Sequence, residues 1–408
     1  MSKNIEMVGI PVRIIPYDTG TDLCEISGED LRKTIGSEVK IFRLSNHQKK
    51  LMPKCKISGM LSDKIRFSIF ENGICVFAVE DENILFNDQE YFSAEYCLDR
   101  KRKHQELRNG THQFSRVMEE FVEKLRAFVR SRSKNKMRMS GSSDFENGGM
   151  SYVMTLTLLK TEDHDVLDID KHVMLKRNIV AILNPTTILL EDYDDSNPTT
   201  YNEVKKNIKD LDTDDELKDY EQRRHICTYM SWSSVVVLGD YEDSDYEDYM
   251  LMESSLQSNW YEVYCLEACM PKTIKEAERD KLSMMDLQRA GNEAEMFIDE
   301  IDNIRFSELP SRYVDIQEGL VETSGLIQIA KRYEKKMNNV SEMMKTKNQE
   351  RQRRFGLSSE LLLFFIAMVQ FYPILESVTE GTHDWIPYSI VMALLVIGAI
   401  VLFMKNRM

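Results

Sequence analysis

The sequence predicts an α+β domain that leads into a long helical stalk and ends in a two-helix transmembrane hairpin. Three observations carry this reading: short β-type runs bounded by turns near the N-terminus, a heptad-like apolar stripe beyond residue 320, and twenty uncharged residues from Trp385 to Met404. The expected boundaries are a domain over 1–270, a stalk over 271–354 and the hairpin over 355–408. With 408 residues, 42% of them hydrophobic, the chain has ample material for a core. Its 68 acidic and 53 basic groups give a net charge of −15. The mean hydropathy of −0.40 hides an asymmetry, because the long apolar sequence is concentrated in the last fifty residues.

From residue 1 to about 100, apolar runs alternate with turn residues. Lys64 to Phe70 and Ile74 to Val79 flank Glu71-Asn72-Gly73, a hairpin signal, since Asn-Gly readily takes the backbone that a tight turn needs. A helix is expected from Thr111 to Val129, followed by a polar, Gly/Ser-rich mobile loop over 131–149. Further strands are expected at Ser151 to Leu159, Ile179 to Leu183, Thr187 to Leu190 and Ser234 to Leu238. Lys272 to Phe306 reads as a helix that pairs antiparallel with the stalk.

From Tyr313 to Arg354 there is no proline, and Leu326, Ala330, Tyr333, Met337, Val340 and Met344 recur at alternating steps of four and three. Only Gly356 interrupts the run into the first apolar span, so stalk and span read as one rod of about 60 residues, roughly 90 Å at the helical rise, in want of partners.

The spans are expected at about 357–375 and 385–404. Twenty residues of helix cover about 30 Å, the thickness of the hydrocarbon layer. The nine-residue link ESVTEGTHD holds three carboxylates and no Lys or Arg, whereas Arg351, Arg353, Arg354, Lys405 and Arg407 flank the outer ends. The positive-inside rule places both termini in the cytosol, with Tyr372 and Trp385 as aromatic anchors at the outer interface. The first twenty residues lack the basic and apolar regions of a secretory signal, so the large N-terminal part is expected to stay cytosolic. The seven cysteines contain no CxxC pair and read as reduced thiols, mostly core.

On a helical wheel at about 100° per residue, Asn348, Gln352, Ser359, Leu363, Ile366, Gln370 and Ser377 fall within about 40° of one line. In a ring of subunits they form a pore lining of polar collars with an apolar constriction at Leu363 and Ile366 that gates by dewetting. The alternative is that Ser359 and Gln370 bond neighbouring helices. Glu360 lies off the stripe by about 100° and faces Arg354 or the interface.

Residues 100–138 carry thirteen Lys or Arg against four Glu. Arg100, Lys101, Arg102, Lys103, Arg130, Arg132, Lys134 and Arg138 are the candidate anion-binding residues, because a concentrated positive patch suits phosphate; solvated helix faces fit the same charge pattern. Acidic clusters lie at Glu191 to Asp195, Asp210 to Glu221 and Asp240 to Asp248. Asp240, Glu242, Asp243 and Asp245 are candidate ligands for Mg²⁺ or another divalent cation, although the spacing fails the EF-hand pattern and solvated loops are the simpler reading. Asp163, His164, Asp165, Asp168 and Asp170 hold ligand-type side chains without a zinc-hydrolase spacing. No nucleotide-fold, hydrolase or kinase motif is present, so no enzyme activity and no catalytic residue is expected, nor is direct binding of nucleic acid.

A large α/β domain, a stalk helix running into a first span, a short acidic link, a second span and a basic tail together resemble the CorA family of divalent-cation channels, over roughly Lys272 to Met408. The resemblance implies a CorA-like funnel, a homopentamer whose first span lines the pore. The family's Gly-Met-Asn signature is missing between Gln370 and Trp385. In this the chain looks like the divergent CorA-type membrane effectors of type III CRISPR antiviral systems. That branch implies a channel in the bacterial inner membrane, gated by a nucleotide messenger such as an S-adenosylmethionine-AMP conjugate. The alternatives are a CorA-like Mg²⁺ transporter and a non-conducting membrane-anchored scaffold.

Overall fold

The computed structural model describes residues 6–20, 23–36, 39–87, 91–132, 154–187, 189, 198–213, 217–221, 223–268, 270, 274–275, 298, 309–378, 389 and 392–393. The chain divides into two compact units, Met1–Lys275 with Gly291–Lys336, and Glu276–Ala290 with Met337–Met408. These limits differ from the expected divisions near 270 and 354, because residues 291–336 belong with the N-terminal domain.

In chain order the described elements of the first unit begin with β1 (Glu6–Asp18), α1 (Gly28–Ile35), β2 (Lys40–Ile41), α2 (Asn46–Leu51), β3 (Cys55–Ser62), β4 (Ile65–Phe70), β5 (Ile74–Glu80) and β6 (Ile84–Asn87). There follow α3 (Phe92–Arg108), α4 (Ser115–Arg132), β7 (Met154–Lys160), α5 (Val173–Leu183), α6 (Pro198–Lys209), β8 (Ile226–Met230), β9 (Ser234–Gly239), α7 (Asp243–Ala268) and α8 (Ser311–Ser324). A further helix, α9 (Leu326–Val378), starts in the first unit and continues in the second.

The strands form one nine-stranded sheet in the order β2-β3-β4-β5-β1-β7-β9-β8, with β6 also pairing β1. All pairs are antiparallel except β7 with β9. The hairpin expected around Asn72-Gly73 is β4–β5, in register from Ile65 opposite Val79 to Ile69 opposite Cys75. Gly73 takes φ +77°, a conformation that costs glycine little.

Alternation along each strand sends odd and even residues of β1 to opposite faces. On one face two apolar clusters lie side by side. One gathers Met7, Phe86, Leu159, Val236 and Leu238 with Tyr96 and Cys97 of α3, Ile179 and Ile182 of α5, and Val204 and Ile208 of α6. The other gathers Ile15, Phe67, Ile69, Phe77 and Val79 with Leu31 of α1, Leu107 of α3, and Met118, Phe121 and Leu125 of α4. The opposite face carries α7, which packs on β1 and β5 and is flanked by α2 and α8. Four of the six described cysteines, Cys75, Cys97, Cys227 and Cys265, are buried, and all six are free thiols.

Several expectations are corrected. Ile179 to Leu183 is helical, because Leu175, Ile179 and Ile182 form a buried stripe at steps of four and three in α5. Thr187 closes a 3₁₀ turn with Pro185 rather than opening a strand, and Leu189 lies outside regular structure. Helix α3 was not expected at all. The predicted helix from 111 starts at Ser115, and residues 133–153, holding most of the predicted mobile loop, lie outside the described residues. So do most of the predicted 272–306 helix, the acidic run Glu191 to Asp195 and, save 389 and 392–393, the second span.

The rod breaks once, at Gly325, which caps α8 with φ +67°. Beyond it α9 runs for 53 residues, through Gly356 and Pro373. Its stripe Leu326, Ala330, Tyr333, Met337, Val340 and Met344 is buried to 4% exposure or less within the single chain, so this seam needs no second copy to cover it.

Gly239, at the end of β9, takes φ +138°, and a Cβ there would stand 2.2 Å from the carbonyl oxygen of His225. Gly239→Ala should therefore destabilise the domain by roughly 2–3 kcal/mol, read as a fall in Tm.

Candidate functional site

A polar row crosses the sheet between the two apolar clusters. Arg13 on β1 is in register with Thr155 on β7, and Thr155 with Ser234 on β9. All three are buried, Arg13 and Thr155 at 2% exposure. Helix α3 lies over this row, because Tyr96, Arg100, Lys103 and Leu107 recur at steps of four and three and share one face. Tyr96 and Leu107 join the two clusters, and Tyr96 also bonds the hydroxyl of Thr157 at 2.6 Å. Between them, Arg100 donates from Nη1 to Ser234 Oγ at 2.6 Å and to the carbonyl of Ile182 at 3.1 Å, and from Nη2 to the carbonyl of Ser233 at 3.1 Å. Lys103 pairs with Asp81 at 3.4 Å and Asp99 at 2.7 Å, and Asp81 binds Arg13 Nη2. Two buried atoms of the row, Arg13 Nη1 and Thr155 Oγ1, have no hydrogen-bond partner among the described residues.

Beside the row, His112 is buried and accepts the Phe114 amide at Nδ1, 3.3 Å away. Burial and then the Arg13 charge lower its pKa, so the ring is neutral near pH 7. Burial raises the Tyr96 phenol to about 12, against the opposing pull of Arg100.

Of the sequence-predicted anion residues, Arg100 and Lys103 therefore reach the sheet. Arg102 pairs with Asp99 one turn away, and Lys101 lies half-buried on the same helix. Arg130 and Arg132 are exposed at the far end of α4, with the Arg132 guanidinium 5.6 Å from the centre of the Phe128 ring. Lys134 and Arg138 lie outside the described residues. Sequence reading missed Arg13 and Thr155. The available signal was one arginine inside the apolar strand IPVRIIPY, which must find a partner if the strand is central.

The predicted metal ligands do not converge. Asp240, Glu242 and Asp243 are exposed, while Asp245 is buried and accepts Arg223 Nη1 at 2.7 Å and Arg312 Nη1 at 3.3 Å. Among the described residues no group of three or more His, Cys, Asp or Glu side chains could hold a metal ion. Burial alone would raise the Asp245 carboxyl, but Arg223 and Arg312 outweigh it and hold the pKa low. These contacts form a charged junction at the start of α7. Arg223 also pairs with buried Glu221 at 3.1 Å, Tyr249 donates to Glu221 at 2.7 Å, and the Tyr313 hydroxyl and His47 Nε2 both meet Asp248, His47 at 2.9 Å. Through Arg312 and Tyr313 the junction anchors α8. Trp260 Nε1 then donates to the carbonyl of Ser324 at 3.1 Å, and Glu267 receives Arg332 at 2.9 Å and Lys336 at 2.7 Å, which anchors the start of α9.

Farther along α9, Asn348 and Ser359 are half-buried, whereas Gln352, Leu363, Ile366 and Gln370 are exposed. Ser377 belongs to the helix, but its side chain lies outside the described residues. Among the described residues no helix is long and apolar enough to cross a membrane.

Compared with protein-family models, with curated proteins and with solved structures, the chain matches none.

Glu253 of α7 is 2% exposed; its Oε1 accepts Gln257 Nε2 at 2.7 Å, and its Oε2 has no partner among the described residues. Burial, opposed only by the Gln257 bond, raises its pKa from 4.5 to about 7. Between these values the folded protein holds the proton more tightly than the unfolded chain, so Glu253 makes stability fall as pH rises from about 4.5 to about 7 and level off above. Glu253→Gln should flatten this part of the Tm-against-pH curve and gain most at pH 8; a curve parallel to the wild type would remove Glu253 as the titrating group.

Proposed function

We propose that the chain is a homo-oligomeric, CorA-like membrane channel of the bacterial inner membrane, gated by a nucleotide messenger of the S-adenosylmethionine-AMP type in type III CRISPR defence. The observation that carries the membrane part is the apolar surface of α9. Phe355, Leu362, Leu363, Phe365 and Ile366 are 45–75% exposed. By the helical step they spread over an arc of about 160°, too wide for a single packing seam. Exposed apolar surface on this scale requires a cover: in a ring of subunits Leu363 and Ile366 turn to the pore, and lipid, which the uncharged run from Trp385 to Met404 supports, covers the rest.

In this reading the α/β domain is the sensor and α8 with α9 the transmission. A ligand opens the pore only by favouring the open arrangement, and carrying the population from 1:99 to 99:1 takes about 5.5 kcal/mol of differential affinity. The charged junction at Asp245, Arg312 and Asp248 supports this role, because it ties the helix preceding α9 to the domain. Asn348, Gln352, Ser359, Leu363, Ile366, Gln370 and Ser377 line the pore, with Leu363 and Ile366 as the constriction.

The test is ion flux from liposomes holding the full-length protein. Addition of the S-adenosylmethionine-AMP conjugate should raise flux in the wild type, and the double variant Leu363→Ser with Ile366→Ser should leak without it. A response to Mg²⁺ alone would favour the transporter. Wild type and double variant that insert yet conduct nothing under any condition would leave the chain a membrane-anchored scaffold.

A further inference from the structure

The polar row under α3 has more donors than acceptors. Arg13, Thr155 and Ser234 stand side by side across three strands, and α3 delivers Arg100 to one end and Lys103 to the other. The carboxylates facing them are Asp81 and Asp99, with Glu106 beside His112, and Asp99 also serves Arg102. Arg100 bonds neutral acceptors, and no carboxylate pairs with it among the described residues. His112 is held neutral beside them, and so adds no charge of either sign. The balance is an excess of positive charge in a place with little water to screen it.

The two atoms without partners lie within this excess. Arg13 Nη1 and Thr155 Oγ1 belong to register partners on the same face of the sheet, and each is buried. A buried donor without a partner costs about 1–3 kcal/mol. Two such atoms on adjacent strands, beside an unneutralised guanidinium, are matched by one oxyanion: Nη1 and the hydroxyl donate to it, and its charge offsets that of Arg100. Arginine suits this task because its planar fork can hold Asp81 with one nitrogen and present the other to a phosphoryl oxygen.

We infer that the row of Arg13 and Thr155 beneath Arg100 is an anion site that takes the phosphate of the ligand, and that the exposed basic groups Arg130 and Arg132 are not part of it. This rests on the reading of the domain as a nucleotide sensor. It moves the site from the surface of the basic segment to the seam between the two cores. Because α3 covers the row, an arriving phosphate displaces side chains that join α3 to the sheet, so occupation and a change in the set of α3 go together.

The test uses the full-length protein in detergent, titrated by calorimetry with inorganic phosphate, AMP and the S-adenosylmethionine-AMP conjugate. Thr155→Val keeps the shape of the side chain and removes the unpartnered hydroxyl. A purely internal role, or an internal water in place of the anion, predicts an unchanged or raised Tm with unchanged affinity. The anion site predicts a folded protein whose affinity for the phosphate ligand falls roughly tenfold. Arg13→Lys should weaken binding at least as much, since it keeps the charge and loses the fork; if it fails to fold, Thr155→Val decides alone. Binding of AMP and the conjugate without inorganic phosphate assigns the site to a nucleotide, and binding of all three to the phosphoryl group itself. Wild-type affinity in a folded Thr155→Val protein overturns the site and leaves the sensor reading standing. A wild-type protein that binds none of the three probes overturns the site and the nucleotide messenger together, while flux from liposomes still tests the channel.

Discussion

Strand β1 is the constraint on which the domain is built. Residues 12–18 pair with β5, residues 6–9 with β6 and residues 8–14 with β7. Both edges are therefore occupied, and among the described strands the hairpins on one side and the parallel pair β7–β9 on the other are hydrogen-bonded into one sheet through this strand. A central strand is normally apolar throughout, because neither edge nor face meets water. Here one face must also accommodate Arg13, and the chain does so by supplying Asp81 from the segment after β5 and Lys103 from α3. Removing a partner from such a buried pair costs several kcal/mol, because it leaves a charge without compensation. The ion pair thus fixes how α3 crosses the sheet, and α3 in turn closes both apolar clusters.

The other face follows a different logic. Helix α7 is covered along much of its length and carries Glu253, Ser254, Gln257 and Ser258 among its buried residues. Its N-terminal turn supplies Asp245 and the following turn Asp248, and their partners come from the segment before β8, from α2 and from α8. Carboxylates in the first helical turn are favoured by the helix dipole, and here they also hold α8, the element that leads into α9. The two faces therefore divide the work. One buries a cationic row at the centre of the sheet, and the other uses anionic residues to tether the helix that leaves the domain.

How far these features were legible depends on the range of the interaction behind them. The β4–β5 hairpin was readable because Asn-Gly and alternation act within sixteen residues. The buried stripe of α9 was readable because a helix writes its periodicity into consecutive turns, although the stripe is covered within one chain and not by a second copy. Helix α3 was not readable: where it crosses the polar row, the segment Asp99 to Gln105 carries no apolar residue, so the helical pattern stops. Ile179 to Leu183 was misread because five apolar residues fit a strand as well as a helix, and only the burial of Leu175 one turn earlier separates them.

By itself the sequence determined the local and the compositional: the uncharged C-terminal run, the hairpin turn, the heptad stripe and the surplus of basic residues over 100–138. Which of those bases act, and with what, was decided by tertiary structure alone. Arg100 and Arg102 are two residues apart and chemically identical, yet one reaches Ser234 across 134 positions of sequence and the other pairs with Asp99 on its own helix. Asp245, which composition groups with exposed Asp240 and Asp243, is turned inward onto two arginines. The physical reason is that charge is a property of the residue, whereas its partner, burial and pKa are properties of a place that exists only once distant strands and helices have met.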